Sequence, residues 1–333
     1  MALRGIGIWA WVLSRVTGGD PVKGAALAKR MGASRVYVKV ADGGSKQNGG
    51  SSEPFAEALR AVGIEVWAWA YQYDSRAEAQ AELLVSRAKI IGATGLVINA
   101  EKEFADEGAD DAREMTELLD ETRKLWRGPL AVSSFGRIDF FPKYPWHVFA
   151  GRGLIGMPQV YGYEGQNRAS GRAQMAVENY AALGFAEVVP TFGAFVNDSM
   201  THSPESITSA LRRTAELSDD GLCSPAADLW SLQHILQHPN AEGVIGVSQH
   251  FAGEFGVGHG HAQGHRDLPL DKPWQVRAAL LRLGAYRGPL FGDSPDWPSA
   301  VRTFQQAHPA CGRADGVVGP LTMTAIRAAL QAA

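Results

Sequence analysis

Short apolar runs recur along this chain at intervals of about thirty residues, and this repeat limits the possible folds more than any other feature. Helical periodicity fills most of the intervals, for example at residues 22–31, 76–91 and 111–126. The runs occupy residues 5–11, 35–40, 64–71, 95–101, 129–134, 154–161, 187–192 and 243–249. Eight strands alternating with helices predict an α/β fold of the (β/α)8 TIM-barrel type, with a doubly wound open sheet as the alternative.

Two connections depart from this regular repeat. Residues 140–150 contain Pro142 and Pro145, so they can form at most a short helix. The last connection is longer and includes a second helical candidate at residues 226–238. Most runs are continuously apolar, which is typical of a parallel sheet covered on both faces.

The chain changes character after the eighth run. Periodicity stops, and residues 253–273 are rich in Gly and His, which predicts a linker between a barrel at 1–252 and a small domain at 274–333. The small domain contains three amphipathic helical segments, at 274–283, 298–307 and 320–332.

Charge and composition exclude several classes of protein. The formal net charge of −3 divides into −6 before residue 274 and +3 from there on, so neither part has the basic stripe that nucleic-acid binding requires. The sequence has no apolar run long enough for a membrane span and no secretory signal in its first 13 residues. Two distant cysteines, Cys223 and Cys311, imply no disulfide framework. We therefore expect a soluble monomer synthesised in the cytoplasm without a classical export signal.

The C-terminal domain carries a specific motif in its second half. Ala300-Val301 and Phe304-Gln305 lead to the turn 315–319, and Pro320 and Thr322 follow. The Asp-Gly pair predicts a tight turn, Pro320 presets the next helix, and Thr322 is expected to form a local hydrogen bond near the start of that helix. This pattern resembles the three-helix peptidoglycan-binding domain of many cell-wall hydrolases. The resemblance implies binding to bacterial peptidoglycan.

Polar residues at the carboxyl ends of the predicted strands indicate where chemistry would occur, because catalytic groups of (β/α)8 barrels lie at that face. Aromatic rings stack on sugars and carboxyls cleave glycosidic bonds, whereas phosphate chemistry would need a Gly-rich loop or a carboxylate-held metal. The candidates for substrate binding are Trp11, Lys39, Asp42, Tyr71, Tyr73, Glu103 and Gln249. Neither a metal nor a cofactor is expected.

The fourth predicted strand is the most informative, because Asn99 and Glu101 share one face of it. Its ending resembles glycoside hydrolase barrels with Asp-x-Glu or Asn-x-Glu at this point, among them lysozyme-like muramidases and the chitinase-like and endo-N-acetylglucosaminidase groups. In those enzymes the Glu is the general acid, a role that falls on Glu101. Asn99 replaces the Asp of the muramidase pattern, so a substrate 2-acetamido group could act as nucleophile, with Asn99 and Tyr161 steadying it. Glu164 is the best second carboxylate for an ordinary mechanism.

The predicted protein is a peptidoglycan hydrolase of the endolysin type, released through a holin or carried in a phage particle. Two rival hypotheses remain. One is a non-catalytic glycan-binding or structural part of a phage injection device. The other is a metal-dependent amidase or peptidase that uses His259, His261 and His265, whose spacing could hold zinc.

Overall fold

A closed parallel β-barrel forms the body of the protein, and a computed structural model describes residues 2–162, 166–197, 200–257 and 270–332 of it. The barrel strands are β1 (Gly5–Ala10), β2 (Ala33–Asp42), β3 (Glu65–Gln72), β4 (Gly95–Ala100), β5 (Leu130–Phe135), β6 (Ile155–Val160), β7 (Thr191–Gly193) and β8 (Ala226–Trp230). Strand β1 pairs with both β2 and β8, so the sheet closes on itself. The (β/α)8 prediction is confirmed and the open sheet is excluded.

Helices surround the barrel and follow its strands. They are α1 (Pro21–Arg30), α2 (Ser52–Ala61), α3 (Ala77–Ile90), α4 (Ala109–Leu125), α5 (Gln166–Leu183), α6 (Pro204–Asp219), α7 (Leu232–Gln237) and α8 (Ala241–Val257). The predicted start of α1 is confirmed, because Asp20 accepts hydrogen bonds from the amides of Val22 and Lys23. The proline-containing connection after β5 holds only the short 3₁₀ turns Ile138–Phe140 and Trp146–Phe149.

Three smaller elements complete the barrel region. Segment Glu187–Val188 precedes β7 and pairs with β6. Strand Ser45–Lys46 pairs antiparallel with the end of β2, and Val196–Asn197 pairs with Met200–Thr201. These hairpins follow the carboxyl ends of β2 and β7, so they lie at the face expected to carry the site.

The eighth strand is not where the sequence predicted it. Residues 243–249 lie inside helix α8, and the true eighth strand is Ala226–Trp230, within the segment expected to be helical. The apolar run at 243–249 buries Val244 and Ile245 against the barrel as one side of a helix. Helix α8 also includes residues 253–257, the first part of the predicted linker. Residues 258–269 of that linker lie outside the described residues.

Side chains fill the barrel interior in layers. Trp9, Tyr37, Trp67 and Trp69 alternate inward and are almost completely buried. Small residues make room for them: a Cβ on Gly95 would lie 2.5 Å from the Trp67 ring. A separate apolar layer joins the outer faces of the strands to the helices. The barrel is therefore a packed core that is open to ligands only at an end.

One fully buried ion pair joins β2 to β8 inside the barrel, at the place where β1 pairs with both strands. Arg35 on β2 donates from Nη2 to Oδ1 of Asp228 on β8 over 2.6 Å, and the side chains are 1% and 0% exposed. The hydroxyl of Tyr37 also donates to Asp228 Oδ1, at 3.1 Å. Glycine is required at position 7, because a Cβ there would lie 2.2 Å from Asp228 Oδ1.

The C-terminal residues form three helices, α9 (Pro273–Arg282), α10 (Trp297–Ala307) and α11 (Pro320–Ala332), close to the predicted segments. They share an apolar core of their own. Trp274 and Ala278 of α9 face the barrel instead and belong to its outer core. The small unit is thus packed against the barrel.

A buried glutamine explains the C-terminal motif. Gln305 is 2% exposed. Its Nε2 lies within hydrogen-bond distance of Asp315 Oδ1, the Val317 carbonyl and Thr322 Oγ1, and its Oε1 accepts from the Gly316 amide. The motif residues therefore hold the turn 315–319 between α10 and α11.

No helix in the described parts of the chain is long and apolar enough to cross a membrane. Cys223 and Cys311 are both buried free thiols. This agrees with the expectation of no disulfide framework.

Candidate active site at the barrel mouth

The barrel mouth is the end of the barrel at which the strands have their carboxyl ends. There, the end of β4 brings the two predicted catalytic residues together. Asn99 points into the barrel and is 3% exposed, and Glu101 follows the strand and is partly exposed. Asn99 Nδ2 donates a hydrogen bond to Glu101 Oε1 over 3.0 Å. The two-residue spacing on one strand face produces this contact.

Gln159 on β6 completes the cluster, and the sequence reasoning missed it. Its Nε2 lies 2.9 Å from Glu101 Oε1, 2.9 Å from Asn99 Oδ1 and 3.3 Å from Ser133 Oγ. Gln159 lies two residues before Tyr161, so the alternation along β6 places it on the inward face. That alternation was the available signal.

This network fixes one oxygen of Glu101 and leaves the other available. Two neutral amides donate to Oε1, whereas Oε2 accepts no hydrogen bond from any residue that the structure describes. An oriented carboxyl with one free oxygen can transfer a proton to or from a bound ligand. The amides carry no charge and so do not neutralise the carboxylate.

Two tyrosines at the carboxyl end of the neighbouring strand β3, Tyr71 on the strand and Tyr73 just after it, donate hydrogen bonds to other carboxylates of the mouth. Tyr71 OH donates to Glu103 Oε2 over 2.6 Å, and Tyr73 OH donates to Asp42 Oδ1 over 2.9 Å. Burial and the hydrogen bond to Glu103 raise the pKa of Tyr71. The hydrogen bond to Asp42, with partial burial, raises the pKa of Tyr73. Both tyrosines therefore remain hydrogen-bond donors at neutral pH.

The predicted cation at the mouth is buried among aromatic rings. Lys39 is 4% exposed and donates from Nζ to Asp42 Oδ2 over 2.5 Å. Its Nζ lies 5.0 Å from the centroid of the Trp69 ring and 5.7 Å from that of Trp11. Asp42 and these rings satisfy the charge of Lys39, which makes this cation part of the wall of the mouth.

An aromatic wall borders the mouth at β1 and β8. Trp11 is 37% exposed, and its ring centroid lies 5.9 Å from that of Trp230 and 6.2 Å from that of His234. Burial lowers the pKa of His234, which favours the neutral form of the imidazole. The sequence reasoning missed Trp230 and His234 because it placed β8 too late in the chain.

The remaining predicted site residues have different outcomes. The Tyr161 ring packs edge-on against Phe195 with a centroid distance of 5.8 Å, beside the mouth. Gln249 does not lie at the mouth: it belongs to α8 and donates to the Arg30 carbonyl, where α1 ends and β2 is about to begin. Glu164 and the three histidines of the proposed metal cluster lie outside the described residues.

A concave region lies away from the mouth. A groove of about 950 Å³ lies between α4 and the segment that follows α9. Its lining mixes both signs of charge, including Arg113, Glu117, Lys124 and Arg287. None of the mouth residues Asn99, Glu101 and Gln159 lines this groove.

No family model matches the chain, and no curated protein does. Several solved structures share its fold. The catalytic domain of a hyperthermophilic chitinase from Pyrococcus furiosus matches with a TM-score of 0.55 and 16% identity, over 77% of this chain and 97% of that one. The spore cortex-lytic enzyme SleL of Bacillus cereus matches with a TM-score of 0.55 and 8% identity, over 76% of this chain and 74% of that one. A β-1,4-mannanase matches with a TM-score of 0.51 and 11% identity, over 76% and 99% respectively. At these identities the likeness establishes the barrel fold.

Proposed function

We propose that this protein is a glycoside hydrolase that cleaves the glycan strands of bacterial peptidoglycan, with Glu101 as the general acid. The cluster at the mouth is the main support for this proposal: Asn99 and Gln159 fix one oxygen of Glu101, and the other accepts no hydrogen bond from any described residue. The names of the structural neighbours, two of which are a chitinase and a spore cortex-lytic enzyme, support a glycan substrate.

The proposed mechanism needs only one protein carboxyl. Glu101 protonates the glycosidic oxygen as the bond from that oxygen to the anomeric carbon breaks. The carbonyl oxygen of the substrate's 2-acetamido group bonds to the anomeric carbon and forms an oxazolinium ion. Water then attacks that carbon and gives a proton back to Glu101, so one water is consumed for each bond cleaved.

Asn99 is proposed to perform two tasks in this scheme. Each polar atom of its amide has one partner among the described residues, which leaves one N–H and one lone pair for the substrate's acetamido group. Its near-complete burial also makes it a rigid support for Glu101. Tyr161 is proposed to steady the same intermediate. Glu164 remains the predicted second carboxylate if the mechanism is an ordinary one.

The C-terminal unit is proposed to hold the enzyme on the insoluble wall. It carries six Arg and three Asp, whereas the preceding part is net negative. A positive unit is attracted to an anionic polymer, and docking raises the effective concentration of substrate at the barrel mouth. Together the two parts support an endolysin-like role.

Replacement of Gln159 tests whether the network positions Glu101. Gln159→Leu removes one of the two donors to Glu101 Oε1, and we expect kcat to fall by roughly 10–100-fold while KM changes little. Reducing-end assays on purified peptidoglycan would measure both constants. Gln174→Leu is the control, because Gln174 forms its hydrogen bonds on the helix surface, with Glu178 and Arg213. A rise in KM with unchanged kcat would assign Gln159 to substrate binding instead.

Replacement of Trp11 tests the aromatic wall. Trp11→Ala removes an exposed ring onto which a sugar can stack, and we expect KM for soluble glycan fragments to rise about tenfold with kcat less affected. Ile90→Ala is a control, because Ile90 is 57% exposed at the end of α3, shortly before β4 begins, and so lies at the opposite end of the barrel from the mouth. An unchanged KM would remove Trp11 from the binding surface.

A further inference from the structure

Three carboxylates meet where the loops after β3 and β4 approach each other. Asp74 follows β3, Glu107 lies in the loop after β4, and Asp111 is in the first turn of α4. One oxygen from each residue lies within 4.8 Å of the other two. Among the described residues, none of the three forms an ion pair with Lys, Arg or His. Three like charges at this separation repel one another and need a counter-charge.

Asp111 provides a second, independent observation. It is 1% exposed, and its Oδ2 accepts hydrogen bonds from the amides of Asp106, Glu107 and Gly108 at 2.8–3.1 Å. Its Oδ1 is also buried but has no hydrogen-bond partner among the described residues. An unpartnered buried carboxylate oxygen is costly, and binding a cation would remove that cost.

We propose that Asp74, Glu107 and Asp111 bind one Ca²⁺ ion. Carboxylate oxygens are the ligands that hard divalent cations prefer. At the largest separation that the cluster allows, a point equidistant from the three oxygens lies about 2.8 Å from each. That upper limit leaves room for the roughly 2.3–2.6 Å of Ca²⁺–oxygen bonds, and Ca²⁺ tolerates an irregular set of ligands better than Mg²⁺, which demands a near-ideal octahedron. Water would supply the remaining ligands.

Binding would join two loops at the mouth. The loop with Asp74 directly follows Tyr73, and the segment with Glu107 begins at Glu101 and Glu103. A bridging ion would therefore restrain the segment that carries the proposed general acid. The metal site itself does not depend on the proposed glycosidase activity, because its ligands are not the residues proposed for catalysis.

Calorimetric titration of the intact, EDTA-treated protein with CaCl₂ tests the site. We expect one saturable site with a dissociation constant on the order of 10⁻⁴ M, and a Tm that rises by a few degrees at saturating Ca²⁺. MgCl₂ should bind at least tenfold more weakly. The variants Asp74→Asn and Glu107→Gln should each weaken Ca²⁺ binding by at least about tenfold.

Asp110→Asn is the matched control. Asp110 lies next to Asp111 but is exposed and near Arg113, at 3.4 Å, and its variant should bind Ca²⁺ like the parent. In EDTA, Glu107→Gln should melt at or above the parent Tm, because it relieves the repulsion among the carboxylates. Absence of saturable binding up to about 10 mM, or equal affinity in the parent and both ligand variants, would overturn the proposal. Either result would leave the glycosidase proposal untouched.

Discussion

Glu101→Gln is expected to lower the release of reducing sugar ends from purified peptidoglycan by about 10²–10⁴-fold. The amide has nearly the shape of the carboxyl but cannot protonate the leaving glycosidic oxygen. Asn99 and Gln159 can still contact the new side chain through its carbonyl oxygen, so the mouth should keep its geometry. The loss should therefore appear in kcat, with KM close to that of the parent protein.

Two controls separate a lost proton donor from a damaged protein. Sedimentation with insoluble peptidoglycan should show that the Glu101→Gln variant still binds the wall, because the proposed anchoring unit is unchanged. Glu82→Gln replaces an exposed carboxyl on α3 and should keep full activity. Lysis by Glu101→Gln at the parent rate would mean that Glu101 is not the acid.

Asp228→Ala should destabilise the protein by about 3–5 kcal/mol, the largest loss of stability we expect from a single substitution at a polar residue. The change leaves the Arg35 guanidinium buried inside the barrel without its carboxylate. It also removes the acceptor of the Tyr37 hydroxyl. Urea denaturation followed by tryptophan fluorescence would measure the change in the free energy of unfolding.

Two further variants identify the cause of that loss. Arg35→Met with Asp228→Leu replaces the pair by apolar side chains and should recover most of the stability, because no buried charge remains. Glu216→Ala breaks an ion pair with Arg213 in which the side chains are 52% and 28% exposed, and it should cost at most about 1 kcal/mol. A cost for Asp228→Ala no larger than that of Glu216→Ala would contradict the assignment.

The same ion pair shows why the sequence misplaced one strand. Residues 226–230 contain Asp228, and a charged residue on an inward face argues against a barrel strand. Its partner Arg35 lies 193 residues earlier, so nothing local to β8 shows that the charge is neutralised. Residues 243–249 have the opposite character, since short apolar runs fit a buried strand and a helix face equally well. The other seven strand positions could be predicted because their apolar runs begin about thirty residues apart.

The candidate site was predictable where its residues share one strand. Asn99 and Glu101 follow from alternation along β4, and Tyr71 and Tyr73 from alternation along β3. Gln159 contacts Glu101 across 58 residues of sequence, and this contact depends on the stagger between strands of the closed barrel. Sequence periodicity predicts which side chains of a strand face the barrel interior. It does not predict which residues of a distant strand lie at the same height in the barrel. The pairing of Tyr71 with Glu103 has the same origin.

The C-terminal motif was recognised correctly as a turn, but its structural basis was not local. Thr322 was expected to bond near the start of its own helix. It instead lies 3.1 Å from Nε2 of Gln305 on α10. The motif residues therefore connect α10, the turn 315–319 and α11. The ligand-binding role of the unit remains a proposal.

Mass spectrometry of the soluble products from purified peptidoglycan, digested with the intact protein, tests the central claim most directly. We predict fragments that carry new reducing ends on an N-acetylated sugar. The combined mass of the fragments should exceed that of the intact strand by one water for every bond cleaved. The terminal sugar would also distinguish a muramidase from an N-acetylglucosaminidase. New amino groups without new reducing ends would indicate an amidase or peptidase, and a wall that binds the protein but releases no fragments would indicate a non-catalytic barrel; either result would contradict the assignment of Glu101 as a glycosidic acid.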